Sequence, residues 1–170
     1  MTTPAAATPR VVNTADRERD FDEFYAAKFH MLRSQMYAYM GDRAEAADVV
    51  QEAFCRAYSR WNRISTFDDP YAWVRRVAWN LATSRLRRRQ TSLAFLHRQR
   101  EEYLDGPSPD RVALVAALAK LTPQLRKAVV LFYLGNLSIA EIALQEDVAE
   151  GTVKSWLSRG RTALAEHLRP

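Results

Sequence analysis

SIAEIALQEDVAEGTVKSWLSRGRTAL (Ser138–Leu164) decides how the chain is read. Ser138 and Glu141 have the S-x-x-E spacing of a capping box, in which each side chain satisfies a free amide at a helix start. A turn at Asp147 breaks the pattern, and a final helix runs from about Glu150 to Leu168. On a helical wheel Val153, Leu157 and Leu164 share one side, with Gly160 allowing close packing between them. Ser155, Ser158, Arg159 and Thr162 fall opposite, flanked by Lys154 and Arg161, and no acid joins this outward face before Glu166. Two helices joined by a tight turn, the second offering hydroxyls and cations, form the helix-turn-helix plan, whose second helix suits base edges and phosphates in a major groove.

The preceding sequence supplies a frame for this unit. Thr122-Pro123 is a cap followed by a first-turn proline, and Gly135 closes the helix LRKAVVLFYL. Gly106-Pro107-Ser108-Pro109 is the clearest break in the chain, with the second unit beginning at about Asp110. Upstream, Phe21, Phe24, Tyr25, Phe29 and Leu32 recur at three- and four-residue steps, as one buried helix face requires. A second helix is expected from about Ala44 to Trp61, with Val49, Val50, Ala53, Phe54, Ala57 and Tyr58 inward. Asp69-Pro70 then starts AWVRRVAWNLATSRLRRR (Ala72–Arg89), which holds six arginines, two tryptophans and no acid. Its inward arc is Trp73, Val74, Val77, Ala78 and Leu81. Trp79 falls nearly opposite, beside Arg75, Arg76 and Thr83, with Asn80 at the rim. Either the linker or the other domain covers Trp79, or it meets bases while arginines hold phosphates, the combination used for single strands.

The totals bound the possibilities. A net charge of +5 is modest, so its distribution matters more. The arginine helix is wholly cationic, whereas 41–54 carries Asp42, Glu45, Asp48 and Glu52 against Arg43 alone, which suggests an acidic polymer on one surface and a different partner on another. The single cysteine, Cys55, allows no intrachain disulfide and no cysteine-based zinc site, and its apolar neighbours predict a small buried hydrophobe. No apolar run approaches the ~20 residues of a membrane span, and MTTPAAATPRVV lacks the features of a signal peptide. The expected setting is soluble and cytoplasmic. The expected fold is all-α: a tail over 1–18, a helical domain over 19–90, a linker over 91–109 and a helix-turn-helix domain over 110–170.

LTPQLRKAVVLFYLGNLSIAEIA with VAEGTVKSWLSRGRTAL resembles region 4 of bacterial RNA polymerase sigma factors of the extracytoplasmic-function (ECF) type. FDEFYAAKFHMLRSQMYAYMGDRAEAADVVQEAFCRAYSRW with DDPYAWVRRVAWNLATSRLRRR resembles their region 2, in wording similar to the SigE-like branch. The resemblance implies an initiation factor that binds core RNA polymerase, reads promoter −35 and −10 elements and melts the −10 region. It implies docking of the DxxQE-type helix on the β′ clamp helices through Asp48, Val49, Gln51 and Glu52, with further contacts to the β subunit. The −10 surface would comprise Phe67 and Asp68 in the loop with Arg75, Arg76, Trp79, Asn80, Thr83, Arg87 and Arg88. The −35 surface would comprise Thr152, Lys154, Ser155, Ser158, Arg159, Arg161 and Thr162. The linker resembles one that threads toward the polymerase active centre, with Glu101, Glu102 and Asp105 mimicking nucleic-acid charge. An anti-sigma protein is a common partner in the family. The chain departs from the pattern at Gln145 and Glu146 (usually leucines), Asp147 (usually glycine), Ala149 (usually serine or proline) and Trp156 (usually basic).

Other classes fit less well. His30, His97 and His167 are scattered, with no Glu-x-x-His pair, phosphate loop or Ser-His-Asp set, so neither a catalytic centre of its own nor a metal or cofactor is expected. A stand-alone helix-turn-helix regulator is the alternative, but it would not need the DVVQEAF surface. A membrane-surface module is disfavoured by the aspartates before the basic helix and by its short apolar arc.

Overall fold

The computed structural model describes residues 13–91 and 108–168, and all regular structure among them is helical. The first group comprises α1 (Thr14–Met40), α2 (Arg43–Tyr58), α3 (Trp61–Ile64) and α4 (Pro70–Thr91). The second comprises α5 (Pro109–Ala119), α6 (Pro123–Tyr133), α7 (Ile139–Glu146) and α8 (Glu150–His167).

Helix α1 begins inside the expected tail. Asn13 caps it by accepting the Ala15 amide, and Arg17 donates Nη2 to the Tyr58 carbonyl at 2.9 Å. The first turns are polar, so apolar periodicity carries no trace of them. Residues 1–12 of that tail and linker residues 92–107, including the acids Glu101, Glu102 and Asp105, lie outside the described residues. Gly41, at φ +74°, ends α1 in the left-handed conformation that favours glycine, and Asp42 caps α2 through the Glu45 amide.

The lower half of α1 builds an aromatic core. Phe21 meets Trp61 edge-on at 5.2 Å and Tyr25 meets Phe54 edge-on at 5.0 Å, geometry worth about 0.5–1.5 kcal/mol per pair beyond burial. Trp61 also donates its indole N–H to Asp20 at 3.0 Å. Tyr58 and Cys55, both expected inward, are exposed. Both sit on the edge of α2 that turns from α1 and α4, where the Tyr58 ring still reaches Phe21 at 4.9 Å.

The upper end of α1 is different: Gln35, Met36, Tyr37, Ala38, Tyr39 and Met40 are all buried. A helix buried on every side needs cover on every side. Here α2 and α4 pack on one flank, and α5 and α6 of the second group pack on the other. The two groups therefore share one continuous core.

In the second group the capping box is fully formed. Ser138 accepts the Glu141 amide at 3.2 Å, and the Glu141 carboxylate accepts the Ser138 amide at 2.7 Å. Asp147 takes φ +55° at the helix-turn-helix turn, and Ala149 starts α8 without a side-chain cap. Gly160 is buried, and a Cβ there would lie 2.7 Å from Val129 Cγ2, so glycine lets α8 close on α6. Helix α6 ends at Tyr133, before Gly135, and Asn136 is the residue with positive φ. Gly135 matters for space, because a Cβ would meet the Leu131 carbonyl at 2.6 Å and Gln35 Oε1 at 3.2 Å.

The Ser138 bonds hold the Glu141 carboxyl below its ordinary pKa. Its contribution to stability is thus present above the ordinary carboxylate value of about 4.3 and lost as pH falls through the lower folded value. Thermal melts between about pH 6 and pH 3 should show a steeper acid loss for the wild type than for Glu141→Gln, which keeps the cap without the titration.

Candidate polymerase and nucleic-acid surfaces

Three surfaces gather the residues singled out in the sequence. The first is the outer face of α2. Asp48 and Gln51 are exposed, and Gln51 accepts a hydrogen bond from Tyr25 at 2.9 Å. Glu52 is half-buried and bridges Arg56 of its own helix to Arg85 of α4, the latter at 2.9 Å. Val49 does not belong to this face. It is completely buried, pointing with Val50 and Ala53 into the core, because it follows Asp48 by one residue and so turns about 100° away.

The second surface is α4 with its preceding loop. Asp69 caps the helix by accepting the Ala72 amide at 3.0 Å. Phe67 and Asp68 in the loop are exposed, and Arg76, Asn80, Arg87 and Arg88 are exposed along the helix, with Thr83 half-buried beside them. The six arginines divide by role. Arg85 holds Glu52, and Arg89 holds Asp42 at 2.8 Å and Glu45 at 2.6 Å. Arg76, Arg87 and Arg88 form no ion pair among the described residues.

Arg75 and Trp79 lie elsewhere. Arg75 stands over the Tyr71 ring and donates Nε to Gln145 of α7 at 3.1 Å. Trp79 is completely buried: Tyr39 meets it edge-on at 4.8 Å, and Lys127 of α6 places its ammonium 5.4 Å from the ring centroid. The buried arc of α4 accordingly runs through Tyr71, Val74, Ala78, Ala82, Leu86 and Trp79, leaving Trp73, Val77 and Leu81 only partly covered at its edge. The second domain covers Trp79, so in this arrangement it is closed to DNA.

The third surface is α8. Val153, Leu157 and Gly160 are buried. Lys154, Ser155, Ser158, Arg159, Arg161 and Thr162 are exposed, with Thr152 half-buried at the start. The Thr162 hydroxyl donates to the Ser158 carbonyl at 3.2 Å, which orders its side chain on the open face.

Residues 24–92 match the family described as Sigma-70 region 2, and residues 111–164 match Sigma-70, region 4. The chain is 30% identical over 152 residues to the RNA polymerase sigma-E factor of Streptomyces coelicolor, covering 88% of this chain and 86% of that one. It is 29% identical over 171 residues to the ECF RNA polymerase sigma factor SigW of Bacillus subtilis, covering 91% and 90%. The chain is an RNA polymerase sigma factor of the ECF type.

The fold agrees. The sigma factor RpoE of Bartonella quintana, solved in complex with the anti-sigma factor NepR, superposes with a TM-score of 0.71 at 23% identity over 88% of this chain and 97% of that one. Sigma factors direct a polymerase to promoters and are not themselves enzymes. Among the described residues of this sigma factor no helix is long and apolar enough to cross a membrane. The presence of region 2 sets aside the stand-alone regulator.

One functional-looking residue of this sigma factor escaped the sequence reading. Arg126 is only 8% exposed and donates to three carbonyls: Tyr39 at 2.8 Å, Ala119 at 2.7 Å and Leu121 at 3.1 Å. Burial pulls its pKa down from the usual arginine value. The signal was its place three and four residues before Val129 and Val130, on the inward face of α6.

Proposed function

We propose that this sigma factor docks on the β′ clamp helices of core polymerase through Asp48, Gln51 and Glu52. In this reading the exposed face of α8, Thr152 to Thr162, enters the major groove of the −35 element. The loop residues Phe67 and Asp68, with Arg76, Asn80, Thr83, Arg87 and Arg88 of α4, take the −10 element and its displaced strand, joined by Arg75 and Trp79 once these are uncovered. The observation that carries the proposal is the division of charge between two helices of region 2. An acidic face on α2 suits a basic partner, while the unpaired arginines of α4 suit phosphates.

Melting would be driven by binding energy spent on unstacked bases, and bond-making chemistry belongs to the polymerase. The factor would work in the cytoplasm, where polymerase and promoter meet. RpoE was solved with the anti-sigma factor NepR, and CnrH with the cytosolic domain of CnrY. A protein of the anti-sigma kind is the matching regulator to seek for this chain. The test is to add the protein to core polymerase with a promoter library and sequence the initiated transcripts. Transcripts from a shared −35/−10 pattern are expected. A well-folded protein that initiates on no template would overturn the reading.

A further inference from the structure

We infer that region 4 latches onto region 2 within the free chain, and that the closed state withholds Trp79 and Arg75 from promoter DNA. The withholding rests on the −10 role proposed above; the latch itself rests on geometry. Four contacts cross the seam. Arg126 donates to the carbonyl of Tyr39 at the end of α1. Lys127 lies over Trp79, and Glu146 holds the Lys127 ammonium at 2.7 Å from the other side. Gln145 accepts from Arg75. Gly135 packs its bare Cα against Gln35. Gln145 and Glu146 stand where the family usually has leucine, so the polar part of this latch belongs to this chain.

The seam is built to part. A cavity of about 260 Å³ lies within it, lined from region 2 by Tyr39, Leu86 and Arg87 and from region 4 by Pro123, Lys127 and Trp156. Trp79 Nε1 and Gln35 Oε1 are buried there without a hydrogen-bond partner in the protein. Unfilled volume and unsatisfied polar atoms both weaken an interface and are relieved when water enters.

It must also part for promoter recognition. By their numbering the −35 and −10 elements lie about 25 base pairs apart, or about 85 Å along B-form DNA. A folded chain of this length has a radius of gyration of about 15 Å and spans about 40 Å. The closed chain cannot touch both elements. The DNA face of α8 is open even so, which leaves −35 contact available before the latch releases.

The experiment uses the full chain, labelled for energy transfer at Cys55 on α2 and at Ala165→Cys on α8, both exposed. The wild type should give a short distance without any partner. Gln145→Arg faces Arg75 with a like charge and should raise the open fraction about fivefold, the scale of a surface ion pair. Adding Arg75→Glu should restore closure, with helical content unchanged throughout. Leu144→Arg adds the same charge at an exposed position and should leave the distance unchanged. Binding to a single-stranded DNA pool should increase for Gln145→Arg beyond the increase for Leu144→Arg. A long distance in the wild type, or no response to Gln145→Arg, overturns the latch. Equal DNA binding by the two arginine variants overturns the withholding. Failure of transcription on every promoter would sink the functional reading and leave the distance result standing.

Discussion

Asp48→Arg is expected to weaken binding to core polymerase by roughly thirtyfold or more, the scale of about 2 kcal/mol for losing one side of a buried interfacial charge pair. Helical content and melting temperature should hardly change, because Asp48 is exposed and lies in the middle of α2, where it caps neither end. Glu52→Arg would be a poor substitute. Glu52 already binds Arg56 and Arg85, so reversal would set three cations together and loosen α4 from α2. Affinity measured by surface immobilisation of core polymerase, with circular dichroism alongside, checks the expectation. Unchanged affinity would remove Asp48 from the docking face.

Arg126→Ala is expected to cost about 3 kcal/mol, since hydrogen bonds to a charged group contribute about 1.5–3 kcal/mol and the buried carbonyls would be left without a donor. In a chain of this size that lowers the melting temperature by about 10 °C. The loss should appear first in α5 and α6, whose connecting turn holds two of the three acceptors, Ala119 and Leu121. Arg126→Lys should recover little, because one ammonium on a flexible stem cannot replace a planar fork set between three oxygens. Hydrogen exchange resolved by segment would read both points. Uniform loss across α1 to α8 would contradict the assigned role.

Much of this arrangement was legible in the sequence. The capping box at Ser138, the turn at Asp147, the close approach at Gly160 and the outward face of α8 all depend on neighbours within a few residues. Such features leave local patterns. The misreadings share the opposite cause. Trp79 and Arg126 are placed by the packing of one domain on the other, which no helical wheel records. Val49 was carried over with its motif even though its own register turns it inward. Cys55 and Tyr58 fall near the edge of the apolar arc, where periodicity alone does not decide exposure.

The division of the α4 arginines has a consequence for measurement. Arg85 and Arg89 are neutralised by Glu52, Asp42 and Glu45, and Arg75 is engaged by Gln145, so three of six remain to displace counterions from DNA. Each phosphate contact on a single strand contributes a slope of about −0.7 in log affinity against log salt. Titration of region 2 on single-stranded DNA should therefore give a slope of about −2 from this helix, where counting every arginine would suggest about −4. The promoter-facing strength of the helix is set less by how many cations it carries than by how many the protein has not already claimed.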